Sequence, residues 1–329
     1  MKKTIYLLIS LFLFTTCNSD HQENGIIKSQ TEDESPQKVA DILYTQYPLA
    51  FLCEGELFFY SFDDNTKVKF MEETEAILNF TFDSDGKILY YNVVRDNSLW
   101  LKSVDISESN PTPEWVVDWK LKKDACISET YGEASSFLYH KGELLIEHTF
   151  SWDFYGFESM SIYSIAKNKI TRKELDYSVI RKFSGELSFN KIQNYFETSN
   201  QQLYYTRNNA KACLTDNLNF KELRQNENKD FWVDIEYTRY SLSPDEKKVF
   251  FGVILEFGDL AHGPYCISNV DGSNQMLLKN TDIASSKKPI WLKNNKVAFV
   301  DNEQNLFVAN NETNSIQKIA QNVSFYVPK

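Results

Sequence analysis

The segments YSLSPDEKKVFFGV (residues 240–253) and YCISNVDGSNQMLLKN (residues 265–280) are the most informative part of the chain for its fold. Together they predict four β-strands, with tight turns at residues 243–246 and 270–273. Pro and Asp favour the first turn because Pro presets φ and Asp hydrogen-bonds to the nearby backbone. Gly favours the second because it adopts positive φ without steric cost. The two segments therefore predict a four-stranded antiparallel meander.

The same order of strand, tight turn and strand recurs along the chain. FTFDSDGKILYYNVV (residues 80–94) has an Asp-Gly turn, SFLYHKGELLIEH (136–148) a Lys-Gly turn and NYFETSNQQLYYTR (194–207) a Ser-Asn turn. PIWLKNNKVAFVDNEQNLFVANNETNSIQKI (289–319) contains four predicted strands in close succession. Recurrence of one supersecondary unit indicates a repeat architecture.

The first copy, LAFLCEGELFFYSFDDNTKVKF (residues 49–70), starts at the position of a second strand and lacks a first strand. NVSFYV (residues 322–327) follows the last complete unit and supplies the missing strand. We therefore predict an all-β domain over residues 41–329: a six-bladed β-propeller of four-stranded antiparallel blades, whose first blade is closed by the C-terminal strand. The six second strands are expected to begin near Leu49, Ile88, Leu144, Leu203, Val249 and Val297.

Ring closure explains the apolar character of the predicted strands. An isolated blade exposes its strand edges and is marginally stable. Packing blades around a ring buries both faces of each sheet. Continuous apolar runs such as residues 57–60 (LFFY), and an aromatic content of 15%, fit this arrangement.

Residues 240–280 resemble the TolB-type, WD40-like propeller repeat. The resemblance rests on Ser-Leu-Ser-Pro-Asp and Asn-Val-Asp-Gly-Ser-Asn-Gln, because blades of that family carry Ser-Pro-Asp-Gly and Asp-Gly-Ser turns. Glu246 stands where the family usually has Gly. Residues 80–105 carry a weaker version of the pattern. The resemblance implies the fold and leaves the function open.

The N-terminus resembles the signal peptide of a bacterial lipoprotein. Lys2 and Lys3 precede an apolar run of about ten residues, which is too short to cross roughly 30 Å of hydrocarbon as a helix. Residues 14–17 (FTTC) resemble a lipobox, which implies cleavage and acylation of Cys17, although Phe14 and Thr16 depart from the usual residues. A plain secretory signal over residues 1–17 with an incidental Cys is the alternative.

Residues 18–40 are polar and lack a sustained apolar period, so they are predicted to be a flexible tether. We expect a monomer whose contact with the membrane is made by the lipid anchor alone. The expected location is the cell envelope, periplasmic or surface-exposed, at the outer membrane of a bacterium.

The formal net charge of −11 is not offset by a basic patch, so no nucleic-acid partner is expected. The sequence contains no nucleophile elbow, phosphate-binding loop or dinucleotide fingerprint. His140, His148 and His262 do not have a metal-ligand spacing. We therefore predict no catalytic residue, no metal site and no cofactor.

The four cysteines after Cys17 lie in or beside apolar strands and fit neither a zinc site nor a redox motif. They are expected to be small buried hydrophobic residues, and disulfide pairing stays open. These cysteines are Cys53, Cys126, Cys213 and Cys266.

Two insertions are predicted on one face of the propeller, where loops commonly carry binding residues. The candidate binding residues are Trp152, Phe154, Tyr155 and Phe157 in the first insertion, and Asp259 and His262 in the second. The aromatic residues either form a binding surface or fold down over the blade edges. Arg239 and Glu197, on predicted innermost strands, either line the central channel or belong to structural ion pairs.

The function expected from these features is a binding or scaffold module for an envelope protein or glycan. The alternative is a carbohydrate-active enzyme on the same fold, a polysaccharide lyase or glycoside hydrolase. The enzyme hypothesis requires converging carboxylates or a histidine-bound metal at the mouth of the channel.

Overall fold

The computed structural model describes residues 43–70, 73–95, 98–109, 111–122, 137–149, 159–173, 192–220, 223, 232–258, 260–285 and 287–328. All of them belong to one compact unit, Asp41–Lys329. Residues 1–40 lie outside the described part of the chain.

The described residues form 24 β-strands. In chain order they are β1 (Leu49–Cys53), β2 (Glu56–Tyr60), β3 (Lys67–Lys69), β4 (Ile77–Phe82), β5 (Ile88–Arg95), β6 (Ser98–Asp105), β7 (Glu114–Lys122), β8 (Phe137–His140), β9 (Glu143–Thr149), β10 (Ser159–Ser164), β11 (Lys169–Lys173), β12 (Phe196–Ser199), β13 (Gln202–Arg207), β14 (Ala210–Cys213), β15 (Trp232–Leu242), β16 (Lys248–Phe257), β17 (Ala261–His262), β18 (Tyr265–Asn269), β19 (Met276–Leu278), β20 (Ile290–Trp291), β21 (Val297–Val300), β22 (Leu306–Asn310), β23 (Ser315–Ala320) and β24 (Val323–Pro328). Two 3-10 turns, Tyr44–Gln46 and Gln193–Tyr195, accompany the strands.

The strands form six antiparallel sheets, and each sheet is one blade of a six-bladed β-propeller. From the inner to the outer strand the blades are β24-β1-β2-β3, β4-β5-β6-β7, β8-β9-β10-β11, β12-β13-β14, β15-β16-β18-β19 and β20-β21-β22-β23. β17 pairs with β16 beside the fifth blade. The fourth blade has three strands within the described residues. The predicted fold class is confirmed.

The C-terminal strand closes the ring, as the sequence predicted. β24 pairs antiparallel with β1, with Leu49 opposite Pro328 and Phe51 opposite Tyr326. The Tyr326 hydroxyl donates to the carbonyl oxygen of Lys288, just before blade six, at 2.5 Å. The last strand therefore completes blade one and also contacts the neighbouring blade.

Both faces of β1, the second strand of blade one, are buried, which explains why this strand has no polar face. Along β1, Leu49 and Phe51 pack in a cluster with Leu292 of blade six, whereas Ala50 and Leu52 pack in a cluster that includes residues of blade two. These four of the five β1 residues are fully buried. Successive side chains of a strand point to opposite faces, so a strand between two blades is apolar at every position.

The first turn of blade five shows how the chain accommodates Glu246 in place of Gly. Ser243 Oγ accepts a hydrogen bond from the Lys248 amide at 2.9 Å and fixes the turn. Glu246 has φ +57°, the left-handed region in which the family's Gly would be unstrained. Its carboxylate forms an ion pair with Arg207 of blade four. The departure from the motif therefore adds a contact between blades.

The second turn of blade five packs against the backbone of blade four. Gly272 has φ +83°, and a Cβ atom there would lie 2.3 Å from the Cys213 carbonyl oxygen. Gln275 Nε2 donates to the same oxygen at 3.2 Å, and Asp271 accepts the Ser273 amide at 2.9 Å. The Asp-Gly-Ser pattern is therefore needed both for the turn and for the close approach of two blades.

Three of the cysteines lie within the described residues, and their thiols are free. Cys266 is fully buried, and burial raises the pKa of its thiol. Cys53 and Cys213 are half-buried, and burial, followed by the charge of Glu54, raises the pKa of the Cys53 thiol. Cys126 lies outside the described residues. A thiol with a raised pKa is a poor nucleophile, so Cys53 and Cys266 have the character of small hydrophobic residues.

Candidate functional site

Two connections of blade five meet at one face of the propeller, which we call the loop face. His262 lies in the connection from β16 to β18, and Asp282 lies in the connection from β19 to β20. Their side chains approach closely, with 2.9 Å between His262 Nδ1 and Asp282 Oδ2. In blade five, the connection between the second and third strands of the blade therefore lies beside the connection to blade six.

The insertion in blade five, predicted only as a long connection, forms a β-hairpin. Within residues 256–262, the blade-five hairpin, Glu256 pairs with His262 and Phe257 with Ala261. The Gly258 amide donates to the Leu260 carbonyl oxygen at 3.0 Å and closes the tip. β15 also extends alongside, placing Trp232 opposite Glu256. The ladder continues because β16 has a partner on each side.

The base of the hairpin is held by backbone contacts that only Gly permits. Gly263 has φ +150°, and a Cβ atom would lie 1.8 Å from the Val253 carbonyl oxygen. The Ile283 amide donates to the Gly263 carbonyl oxygen at 2.8 Å. Gly258, at the tip, has no such restriction, because a Cβ atom there would lie 3.9 Å from the Leu260 carbonyl oxygen, an ordinary van der Waals contact.

The tip of the hairpin presents two apolar side chains to solvent. Phe257 is 40% exposed and Leu260 is 60% exposed. Single exposed hydrophobic residues are common on protein surfaces. These two differ because both belong to a hairpin whose described residues are paired, Phe257 with Ala261 and the Gly258 amide with the Leu260 carbonyl oxygen. A partner would bind such paired residues with little loss of conformational freedom.

The structure describes one of the seven residues predicted for binding or lipidation. His262 is half-exposed, and its contact with Asp282 ties the hairpin to the loop face. The other six lie outside the described residues: Cys17, Trp152, Phe154, Tyr155, Phe157 and Asp259.

The two innermost-strand charges have different partners. Glu197 forms an ion pair with Lys211, with 2.8 Å between Oε2 and Nζ, and both side chains are about half exposed. Arg239 lies at a bulge of β15 with φ +53°, and its Nη1 donates to the neutral Tyr265 hydroxyl at 3.0 Å. The alternative of a structural ion pair therefore describes Glu197, whereas Arg239 is held by a phenol.

A second group of polar residues, which the sequence analysis did not identify, lies between blades one and two. We call Glu73, Glu75, Tyr91, Lys102 and Trp115 the blade-two cluster. Lys102 Nζ lies 2.7 Å from Glu73 Oε1 and 3.5 Å from Glu75 Oε2. The Tyr91 hydroxyl donates to the other Glu73 oxygen at 2.7 Å. The cluster joins the connection between the blades to β5 and β6.

The blade-two cluster is largely buried and contains an ionised carboxylate. Lys102 is 8% exposed and Tyr91 is fully buried. A hydrogen bond from the Thr74 hydroxyl, then a side-chain hydrogen bond with Glu73 and the charge of the Lys102 ammonium, hold the pKa of Glu75 below its usual range. Burial and the hydrogen bond to Glu73 raise the pKa of Tyr91. At neutral pH the cluster therefore contains an ionised Glu75 and a neutral Tyr91.

The lowered pKa of Glu75 bears on the carbohydrate-active enzyme hypothesis. Glycoside hydrolysis by a carboxylate pair uses one ionised carboxylate and one carboxylic acid whose raised pKa lets it protonate the leaving group. Glu75 has the character of the ionised member and not of the acid. Its cationic neighbour in the cluster is Lys102, with 3.5 Å between Nζ and Oε2.

One signal in the sequence could have located this cluster. Trp100, Lys102 and Val104 alternate along β6 and therefore lie on one face of the sheet. Val104 is buried in the hydrophobic core between blades one and two, and Trp100 packs against that core. A lysine between two such residues needs a buried partner. That Glu73 and Glu75 are the partners of this lysine could not be predicted, because it depends on how blades one and two pack.

Within the part of the chain that the structure describes, no group of three or more His, Cys, Asp or Glu side chains is arranged to bind a metal ion. In the same residues, no helix has the length and apolar character required to span a membrane.

No protein-family model matches the sequence, and no curated protein sequence is significantly similar to it. Among solved structures, TolB from Acinetobacter baumannii is 12% identical, over 86% of this chain and 64% of the TolB chain, with a TM-score of 0.40. This chain thus covers less than two thirds of TolB. A protein assigned as a 6-phosphogluconolactonase from Bacteroides fragilis is 8% identical, over 90% of this chain and 100% of its own, with a TM-score of 0.40. A protein from Desulfotomaculum acetoxidans is 9% identical, over 83% and 79% of the two chains, with a TM-score of 0.34. The propeller assignment rests on the sheet order, and these similarities do not indicate a ligand.

Proposed function

We propose that this chain is a lipid-anchored, non-catalytic binding module of the bacterial cell envelope that holds another envelope protein through its blade-five hairpin. The observation that carries the proposal is the fixed pair of exposed apolar side chains at the hairpin tip, Phe257 and Leu260. The propeller provides the platform, and the hairpin provides the contact.

The chemistry of the tip favours a protein as the partner. Phe257 and Leu260 suit an apolar groove, because a buried aromatic or aliphatic anchor is the usual centre of a protein interface. Leu260 lacks the flat face on which a sugar ring stacks. Glu256 lies beside the tip, and the whole chain has a formal net charge of −11. A groove with basic residues at its rim would complement this surface.

The proposed anchor rests on the N-terminal sequence. Lys2, Lys3, the apolar run and Cys17 form the lipobox-like pattern, and several acyl chains on one residue hold a protein stably at a bilayer. A flexible coil of the length of residues 18–40 would span roughly 25 Å. The proposed anchor and tether would place the propeller clear of the membrane surface, where the hairpin can reach a partner.

Replacing both Phe257 and Leu260 with Ser is expected to abolish partner binding without unfolding the protein. Loss of two interface anchors at about 1–2 kcal/mol each weakens binding by roughly 100-fold. The measurement is the yield of crosslinked envelope protein per molecule, with a photoreactive residue placed at position 256 and the tether intact.

The matched control is Ile316→Ser, because Ile316 is 43% exposed on β23 of another blade. This variant should crosslink like the wild type. Equal loss of crosslinking in both variants, or a melting temperature lowered by more than a few degrees in the double variant alone, would contradict recognition by the hairpin.

Replacing Cys17 with Ser is expected to move the protein from the membrane fraction to the soluble fraction, because the acceptor thiol for the lipid is lost. The measurement is the distribution between the two fractions after high-salt and carbonate washes, with Cys53→Ser as the control. A Cys17→Ser protein that stays with the membrane after both washes would show that another feature anchors the chain.

A further inference from the structure

Trp115 is the exposed aromatic member of the blade-two cluster, and contacts with Lys102 and Trp100 hold it in position. It lies on β7 opposite Lys102, and the Lys102 ammonium stands 4.2 Å from the centroid of its ring. The Trp100 ring packs against it at 5.4 Å with an interplanar angle of 64°. Trp115 is nevertheless 38% exposed. The Lys102 ammonium, the Trp100 ring and, at 5.8 Å, the Arg95 guanidinium all approach the indole. We call the part of the indole that stays exposed its open face.

The charged groups behind this indole are not explained by stability alone. Lys102 and Glu73 are nearly buried, in a cleft otherwise filled by apolar residues such as Phe80 and Val104. Apolar packing of similar volume is often as stable as a buried ion pair, since removing charges from water is costly. The ion pairs with Glu73 and Glu75 instead hold the Lys102 ammonium against the ring of the partly exposed Trp115.

We infer that Trp115, together with Arg95 and Glu75, forms a binding site for a neutral pyranose ring of a glycan. The C–H face of the sugar would stack on the open face of the indole. The Arg95 side chain is half-exposed and lies within 4.0 Å of Glu75, with its guanidinium 5.8 Å from the Trp115 ring. The guanidinium would donate to sugar hydroxyls and the carboxylate would accept from them.

The charge balance of the site favours a neutral ligand. Among the described residues of the site, the cations of Arg95 and Lys102 face the carboxylates of Glu73 and Glu75. A cationic ligand over the open face would be repelled by Lys102, whose ammonium already lies against the ring. An anionic ligand would meet the two carboxylates. This site lies in blade two and goes beyond the protein partner proposed for the blade-five hairpin.

The experiment titrates the full-length chain, in a detergent that contains no sugar, with N-acetylchitohexaose, laminarihexaose and maltohexaose. Heat of binding and tryptophan fluorescence are both recorded. At least one hexasaccharide is expected to bind and to shift the tryptophan emission. Trp115→Ala should weaken that binding by roughly tenfold or more, whereas Trp115→Phe should retain part of it because a flat ring remains. Ile316→Ala is the matched exposed control and should bind like the wild type.

The inference is overturned if none of the three hexasaccharides binds, or if Trp115→Ala binds as tightly as the wild type. The inference is also overturned if a peptide strand pairs with β7 while none of the three hexasaccharides changes the tryptophan fluorescence. The double hairpin variant, Phe257→Ser with Leu260→Ser, should bind the sugar normally. Failure at Trp115 is therefore distinguishable from failure of the hairpin proposal.

Discussion

A chain ending at Asn322 is expected to lose its stable propeller fold. The truncation removes β24, which supplies the inner strand of blade one and pairs with β1 along its whole length. It exposes Leu49 and Phe51, both fully buried in the intact ring, and it leaves one edge of β1 unpaired, because β1 then pairs with β2 alone. Deleting one large buried side chain costs about 3–5 kcal/mol, and domains are stable by only about 5–15 kcal/mol. The loss should therefore approach the whole stability of the domain.

The effect is measured by thermal unfolding and size-exclusion chromatography of the truncated and intact proteins. Tyr326→Phe is the matched control, because it removes only the hydroxyl that donates to Lys288 and should cost about 1–3 kcal/mol. Adding a synthetic peptide of residues 322–329 should restore part of the lost stability. A monomeric truncation with the melting temperature of the intact chain would contradict the closure of the ring.

The second large effect is expected for Gly263→Ala, which should destabilise the protein by more than about 3 kcal/mol. The residue has φ +150°, a region that side-chain-bearing residues rarely adopt, and a Cβ atom would overlap the Val253 carbonyl oxygen at 1.8 Å. The Val253 oxygen belongs to the backbone of β16, so relief of the overlap requires β16 or the Gly263 backbone to move. Displacing β16 would also disturb the base of the hairpin.

Gly258→Ala offers a control within the same hairpin. Its nearest neighbouring atom would be 3.9 Å from the new methyl group, so the change in unfolding free energy should be within about 1 kcal/mol. Both variants are compared by denaturant unfolding. Similar stability of the two proteins would show that the hairpin base tolerates a side chain and that its geometry is not fixed by Gly263.

The order of strands was predictable because turn chemistry and apolar runs are local signals. Ser243, Asp245 and Gly272 indicated where strands of blade five end, and each makes the turn contact that its residue type favours. Ring closure was predictable because residues 49–70 begin at the position of a second strand and therefore lack a first strand of their own. The first blade therefore needed an inner strand from another part of the chain. The segment that became β24 was the candidate, because it follows the last complete unit.

The candidate sites were less accessible to sequence reasoning. The hairpin was not predicted because glycines such as Gly258 and Gly263 are typical of flexible loops. In the structure only Gly263 of the two has a backbone conformation that other residues rarely adopt, and there its backbone lies close to that of Val253. The blade-two cluster was missed because Glu73 and Lys102 are distant in sequence and meet only when two blades pack. Local patterns thus predict strands and turns, whereas contacts between blades depend on side-chain positions that no short segment specifies.

The pairing of β1 with β24 sets the order of events during biosynthesis. β1 can pair with β24 only after the final residues have left the ribosome and, for an exported chain, crossed the membrane. Until then the chain is an open arc whose first and last blades each lack a partner. Premature termination therefore yields a product with unpaired ends that proteases can attack, and only a complete chain becomes resistant to degradation.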